Sequence, residues 1–135
     1  MSTKEKTAAA LFEGDCNCAQ AVFGAFCEDW GLRLDTALLL TSGFGGGARC
    51  GELCGAASGA IMAIGLKCGA DKQCCNQKTI EFTRRFKEEN GAMACRELLQ
   101  TDKAATDGQP FNRKERCARL VTGAVKILEN IEFGE

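Results

Sequence analysis

The chain has 135 residues, with 17 Lys and Arg against 18 Asp and Glu, ten cysteines and no histidine. This length fits one domain, residues 1–135, that can bury its own core, and the balanced charge gives no electrostatic footprint for nucleic acid or anionic lipid. Without an imidazole, the sequence excludes catalytic Cys-His dyads, Ser-His-Asp triads and zinc sites with histidine ligands.

The first six residues are polar and charged, and they lead into no apolar run of signal-peptide length. No apolar run approaches the ~20 residues that cross a membrane. We therefore expect a cytoplasmic protein without direct membrane insertion. In a reducing cytosol, so many thiols indicate metal binding or redox chemistry before structural disulfides.

Apolar residues recur at helical spacing rather than alternating, which predicts an all-α fold of about five to seven helices. The first clear helix is predicted over residues 18–30, where Gly31 stops it. Asp35 is predicted to cap a short helix that continues through Leu40. A glycine-rich stretch at 43–47 comes next, followed by a helix of small residues at about 52–66.

The glycine-rich stretch 43–47 has two interpretations that stay open. Its backbone amides can approach an anionic group such as a cluster or a thiolate, or it is a tight connection between two helices. Its fit to a dinucleotide-binding fingerprint is weak, because the segments around it are helical. In the helix that follows, Gly55, Gly59 and Ala63 recur every four residues. Another helix of this chain, or of a second copy in a homodimer, can therefore approach closely.

In the second half of the chain, Asp71 is predicted to cap a long helix that ends at Gly91. A short helix at about 95–99 and a loop at 101–111 follow, and the last helix is predicted over 112–131. The basic residues of this helix are interpreted as a solvated face: Arg113, Lys114, Arg116 and Arg119.

The cysteines include no Cys-x-x-Cys pair, which argues against a thioredoxin-type dithiol, a zinc ribbon and a ferredoxin-type ligand run. Cys18, Cys54 and Cys95 each lie at the start of a predicted helix, where the partial positive charge lowers a thiol pKa and favours the thiolate. Cys117 lies on the apolar stripe of the last helix and is expected to point inward. Others are interpreted as buried small hydrophobic residues: Cys27, Cys68, Cys74 and Cys75.

At these positions the chain resembles the C_GCAxxG_C_C family of redox-active proteins, over roughly residues 11–131. The Cys-Gly-Ala-x-x-Gly motif of that family corresponds to residues 54–59, and its other characteristic cysteines correspond to Cys18, Cys95 and Cys117. The glycines at 43–47 and the Gly51-Glu52 pair are also similar to the family. The resemblance implies a redox role. Related four-cysteine domains imply an iron–sulfur cluster, and the frequent position of family genes near transporter genes implies a transporter-associated redox partner.

Three hypotheses stay open, besides a helical domain with inert cysteines. The first is an electron-transfer or redox-sensing domain that holds an iron–sulfur cluster on Cys18, Cys54, Cys95 and Cys117. In this hypothesis, backbone amides donate hydrogen bonds to the cluster sulfur and tune the reduction potential of the cluster. The donors are the amides of Gly45, Gly46, Gly47 and Gly55.

The second hypothesis is a metal-free thiol–disulfide oxidoreductase or redox sensor, in which Cys54 attacks and Cys50 or Cys18 resolves. The third is an interaction module with a structural zinc on the same four cysteines, although structural zinc sites more often use close ligand pairs. Cys16 and Cys50 flank two of the four cysteines and stay open as alternative ligands or disulfide partners.

Overall fold

The structure, a computed structural model, describes residues 1–100 and 111–134. Within these ranges there is no strand, and the all-α class is confirmed. The described part of the chain has seven α-helices and a 3-10 helix at Glu28–Trp30, which makes eight helices, slightly more than the five to seven expected. The α-helices are α1 (Thr3–Glu13), α2 (Cys18–Phe26), α3 (Leu34–Leu40), α4 (Gly55–Cys68), α5 (Lys72–Asn90), α6 (Cys95–Leu98) and α7 (Arg113–Glu129). The predicted loop 101–111 lies, apart from Phe111, outside the described residues.

Side-chain caps fix where several helices begin. Asp71 accepts a hydrogen bond from the backbone N–H of Cys74 at the start of α5, and Gly91 ends that helix with a φ of 90°, so both predictions are confirmed. The prediction for α3 is wrong by two residues: the helix begins at Leu34 after Arg33, and Asp35 lies inside its first turn. Asp35 instead pairs with the Arg33 side chain at 2.9 Å.

The small-residue face of α4 serves a contact inside the chain. A Cβ atom placed on Gly59 would lie 2.5 Å from the carbonyl oxygen of Ala19, so only glycine lets α2 and α4 approach this closely. Around this contact, α4 also packs against α5 and α7, and α1 packs against α2 and α7. The largest fully buried side chains of the shared core are those of Phe82, Phe86, Ile64, Leu98 and Leu128.

The glycine-rich stretch forms a left-handed turn before α4. Gly46, Gly47, Ala48 and Arg49 follow one another with φ between 58° and 65°. The left-handed conformation costs a non-glycine residue ~1–2 kcal/mol, so the turn stores strain at Ala48 and Arg49. Of the residues that the structure describes, no helix has both the length and the apolar character needed to cross a membrane.

Candidate functional site

Four elements bring Cys18, Cys54, Cys95 and Cys117 together. Every pair among the four thiols interacts electrostatically and shifts a pKa, so we call this cluster the sulfur site. Within residues 1–100 and 111–134, no three Cys, Asp or Glu side chains are arranged to hold a metal ion as they stand. Metal binding at the sulfur site would therefore require its side chains to turn from these positions.

Local hydrogen bonds place three of these cysteines. Asn17 and Gln20 form a reciprocal cap that fixes Cys18 as the first residue of α2. The Gln20 amide also donates to the carbonyl oxygen of Leu38 at 2.9 Å, which ties the start of α2 to α3. The backbone N–H of Cys54 donates to the carbonyl oxygen of Met93 at 2.8 Å. In return, the N–H of Cys95 donates to the carbonyl oxygen of Glu52, so Cys54 and Cys95 are held side by side across two backbone bonds.

Cys18 and Cys117 are free thiols joined by a hydrogen bond. The Cys18 thiol donates a hydrogen bond to the Cys117 sulfur, which raises the pKa of Cys18 well above its usual range, and burial raises it further. The same bond lowers the pKa of Cys117 to about 6, with additional help from the positive charges of Arg113 and Arg116. Cys117 is therefore the most acidic thiol of the sulfur site, and Cys18 keeps its proton.

Cys54 and Cys95 differ from the sequence expectation. Cys54 is only 3% exposed, and its burial raises the pKa to about 11, although the backbone N–H groups of Ala57 and Ala56 act in the opposite direction. Burial likewise raises the pKa of Cys95. The predicted lowering of these pKa values, and of the pKa of Cys18, is wrong. Desolvation outweighs the helix N-terminus at Cys54 and Cys95, and the hydrogen bond to Cys117 outweighs it at Cys18. A buried thiol with a raised pKa is also the opposite of what an attacking nucleophile needs.

The flanking cysteines lie at the edge of the sulfur site. Cys50 is exposed in the left-handed turn, and its thiol donates to the carbonyl oxygen of Gly47 at 3.5 Å. Cys16 is half-buried, and burial together with the Asp15 charge raises its pKa. Cys27 is fully buried in the core, as predicted.

Arg116 is a site residue that the sequence interpretation missed. Arg113, Lys114 and Arg119 are exposed as expected, but Arg116 is only 4% exposed. Its Nε donates to the carbonyl oxygen of Leu98 at 3.2 Å, whereas its Nη2 has no hydrogen-bond partner in the described part of the chain. Burial lowers the pKa of Arg116, and Cys54 and Cys117 raise it. The spacing already held the signal, since Arg116 precedes Leu120 and Ala124 at four-residue steps on the apolar stripe.

A family model matches most of this chain. The model of the family described as "Putative redox-active protein (C_GCAxxG_C_C)" matches residues 16–131. The chain belongs to the C_GCAxxG_C_C family. Comparison with curated proteins and with solved structures finds no match.

Three glycines around the sulfur site lie directly against neighbouring side chains. A Cβ on Gly55 would lie 3.1 Å from the Cβ of Cys18, and a Cβ on Gly47 would lie 2.7 Å from the Cβ of Cys95. Gly45 is as close to the Asn17 side chain, at 3.1 Å. Gly47 and Gly55 therefore let the backbone approach Cys95 and Cys18 closely, which a larger residue would prevent. Hydrogen bonds from their amides to a bound cluster stay a prediction.

A cavity of about 470 Å³ opens onto Cys18 and Cys117. Its lining carries three basic side chains, from Arg49, Arg113 and Lys114, and no acidic one among the residues that the structure describes. A Cβ on Gly46 would lie 4.0 Å from the Arg113 guanidinium, which is an ordinary van der Waals distance. Solvent and small anions can therefore reach the Cys18–Cys117 pair through a positively charged opening.

Proposed function

We propose that this C_GCAxxG_C_C protein is an electron-transfer or redox-sensing protein that holds an iron–sulfur cluster on Cys18, Cys54, Cys95 and Cys117. The buried guanidinium of Arg116 carries the proposal. It lies beside Cys54 and Cys117 with Nη2 lacking a hydrogen-bond partner in the described residues. A buried unpaired donor costs ~1–3 kcal/mol, and an anionic cofactor held by thiolates would supply the missing partner.

The chemistry of the donor set supports the same proposal. The four side chains offer only sulfur, a soft ligand that favours iron–sulfur clusters, zinc and Cu(I). A cluster with four cysteine ligands supplies one-electron redox chemistry when it is bound. This chain's own part would be to hold the four thiolates close together, to balance their charge with Arg116 and Arg113, and to limit water at the buried Cys54.

The cavity would give a redox partner access to the sulfur site. It connects solvent with Cys18 and Cys117, two of the three cysteines that line it; the third is Cys16. Its basic side chains, Arg49, Arg113 and Lys114, favour an anionic reactant or an acidic surface of a partner protein.

The test is purification without oxygen, followed by a visible spectrum and by assays of iron, zinc and sulfide. We expect brown protein with matched iron and sulfide. Cys18→Ser, Cys54→Ser, Cys95→Ser and Cys117→Ser should each lose most of the absorbance, whereas Cys50→Ser, which changes an exposed thiol, should keep it. Colourless protein with one zinc per chain would favour the zinc module. Colourless, metal-free protein would reject a bound metal.

A second candidate function rests on the hydrogen bond between Cys18 and Cys117. Here the Cys117 thiolate attacks one sulfur of an incoming disulfide and the other sulfur leaves as a thiolate that takes up a proton. Cys18 then gives up its proton and attacks Cys117, which forms a Cys18–Cys117 disulfide and releases the second thiol. Two protein thiols are oxidised while one disulfide is reduced. In this scheme Cys117 replaces Cys54 as the attacking residue, because Cys54 is buried.

Metal content and disulfide mapping separate the two candidates. Metal-free protein that acquires a Cys18–Cys117 cross-link on treatment with a disulfide would support the second candidate. Metal-free protein in which these two thiols stay reduced would exclude it, and brown protein that loses its colour in Cys18→Ser would favour the cluster.

A further inference from the structure

Three more cysteines meet at the turn between α4 and α5, far from the sulfur site. Cys68 is the last residue of α4, and Cys74 and Cys75 lie in the first turn of α5. Cys54 caps the other end of α4, which has 14 residues. At 1.5 Å per residue, the two ends of this helix are ~20 Å apart, so the two groups of thiols are separate sites.

Backbone and capping hydrogen bonds hold this turn tightly. The N–H of Asp71 donates to the carbonyl oxygen of Cys68 at 3.0 Å, and the N–H of Cys75 donates to the carbonyl oxygen of Asp71 at 2.9 Å. The Asp71 carboxylate accepts from the N–H of Cys74 at 3.1 Å. The end of α4 and the start of α5 are thus fixed relative to each other.

The thiols themselves are in contact. The Cys68 side chain is hydrogen-bonded to those of Cys74 and Cys75. All three are half-buried free thiols rather than fully buried residues, so the sequence interpretation of them as buried hydrophobic residues is wrong. Burial raises the pKa of Cys68 to about 11, and the bonds to its two neighbours act in the same direction. Cys68 therefore keeps its proton and donates it towards its neighbours.

Accessibility distinguishes the two neighbours of Cys68. Cys68 and Cys75 both pack against the hydrophobic core, whereas Cys74 is not part of that packing. Cys74 is also the third residue of a 19-residue helix, in the turn that the Asp71 cap holds. A disulfide between the adjacent residues Cys74 and Cys75 would be strained. The pair best placed for disulfide chemistry is Cys74 with Cys68.

We infer that Cys68 and Cys74 form a second redox site, a dithiol that reduces incoming disulfides and is distinct from the sulfur site. The Cys74 thiolate attacks one sulfur of the substrate disulfide, and the other sulfur leaves as a thiolate that takes up a proton. Cys68 then loses its proton and attacks Cys74, which releases the second substrate thiol and leaves a Cys68–Cys74 disulfide. Two cysteine thiols are oxidised and one disulfide is reduced to two thiols.

The experiment treats the reduced full chain, without oxygen, with bis(2-hydroxyethyl) disulfide and maps the products by mass spectrometry. Trypsin cleaves after Lys67, Lys72 and Lys78, so Cys68 and Cys74 fall in separate peptides. We expect these peptides to be cross-linked in the wild type and in Cys75→Ser. Cys68→Ser should instead accumulate a mixed disulfide on Cys74, and Cys74→Ser should lose the cross-link and slow the reaction of this turn ~10-fold.

Several results would overturn this inference. A cross-link lost in Cys75→Ser but kept in Cys74→Ser would assign the chemistry to Cys75. Three thiols that stay reduced while exposed Cys50 reacts would show that the turn holds no reactive dithiol. Far-UV circular dichroism and the visible spectrum of each variant check the fold and the sulfur site. Because Cys68 and Cys74 are remote from the sulfur site, failure of one proposal leaves the other unchanged.

Discussion

The Cys18 thiol donates a hydrogen bond to the Cys117 sulfur and so links the first residue of α2 to the second turn of α7. The two residues are 99 positions apart (117 − 18). The contact itself is the largest cause of the difference between their pKa values. One thiol holds the proton, the other accepts the bond, and Arg113 and Arg116 add positive charge on the accepting side.

Removing the donor should make Cys117 less acidic. In metal-free protein, Cys18→Ala deletes the hydrogen bond that stabilises the Cys117 thiolate. Such a bond to a charged group contributes ~1.5–3 kcal/mol, so we expect the pKa of Cys117 to rise by ~1–2 units. The pH dependence of its alkylation by iodoacetamide measures the shift. Cys27→Ala, at the end of the same helix, is the control, and an unchanged midpoint in Cys18→Ala would contradict the contact.

Cys54 should be slow to alkylate, in contrast to exposed Cys50. Its thiol is 3% exposed, and burial raises its pKa to about 11. At pH 8, a thiol with that pKa is only ~0.1% thiolate. Iodoacetamide labelling of the metal-free protein, followed by peptide mass analysis, should modify Cys50 at least ~10-fold faster. Equal rates for the two cysteines would show that Cys54 is accessible and would restore it as an attacking thiol.

Arg116→Met should weaken cofactor retention without destabilising the metal-free protein. The substitution removes the buried charge beside Cys54 and Cys117, and loss of a group that supports metal ligands typically costs ~10–100-fold in affinity. It removes the Nη2 donor that lacks a partner among the described residues, and it also removes the Nε bond to the Leu98 carbonyl oxygen. Because these two effects oppose each other, we expect the free energy of unfolding to stay within ~1 kcal/mol.

Chelator competition and urea unfolding measure these two effects of Arg116→Met. Arg119→Met, which changes an exposed residue of the same helix, should alter neither. If both variants retained the cofactor equally, the proposed role of Arg116 in balancing its charge would be rejected.

Gly59→Ala should destabilise the fold. The added Cβ would lie 2.5 Å from the Ala19 carbonyl oxygen, so α2 and α4 must move apart. Overpacking of this kind costs ~1–3 kcal/mol. Gly65→Ala, in the same helix, meets nothing within 4 Å and should stabilise the protein by ~0.5–1 kcal/mol through helix propensity. Urea unfolding should therefore show a lower free energy of unfolding for Gly59→Ala than for the wild type and a higher one for Gly65→Ala. A Gly59→Ala variant as stable as the wild type would contradict the close approach of α2 and α4.

Ala48→Gly should stabilise the protein. Ala48 has a φ of 58°, and the left-handed conformation costs ~1–2 kcal/mol in a residue with a Cβ. Part of that gain is offset by the greater freedom of glycine in the unfolded chain, so we expect ~1 kcal/mol. The control is Ala10→Gly, at an exposed position of α1, which should destabilise by a similar amount. A loss of stability in Ala48→Gly would mean that the turn is not left-handed.

Local sequence signals predicted much of the fold. Asp71 and Gly91 bound α5 as expected, because a cap depends on a few neighbouring backbone groups. Cys18 and Cys95 begin helices and Cys54 caps one, also as expected. The family membership follows from the same short motifs.

The pKa order of the cysteines was not predictable in this way. The sequence favoured acidic thiols at Cys54 and Cys95, and the structure has raised pKa values there. It also placed Arg116 in solvent, where the structure has it buried next to two cysteines. The contacts of Cys68 with Cys74 and Cys75 were not predicted either. Helical periodicity describes residues within one helix and gives no information on how the turn between α4 and α5 brings their ends together.

The sequence by itself determined the helical class, the main caps and the four cysteines of the family pattern, since each depends on residue type and short spacing. Only the tertiary structure decided which thiol holds its proton, which arginine faces the sulfur site and which cysteines touch. Those properties depend on desolvation and on distances between helices that are remote along the chain, and in the sulfur site desolvation outweighs the local effect of a helix N-terminus.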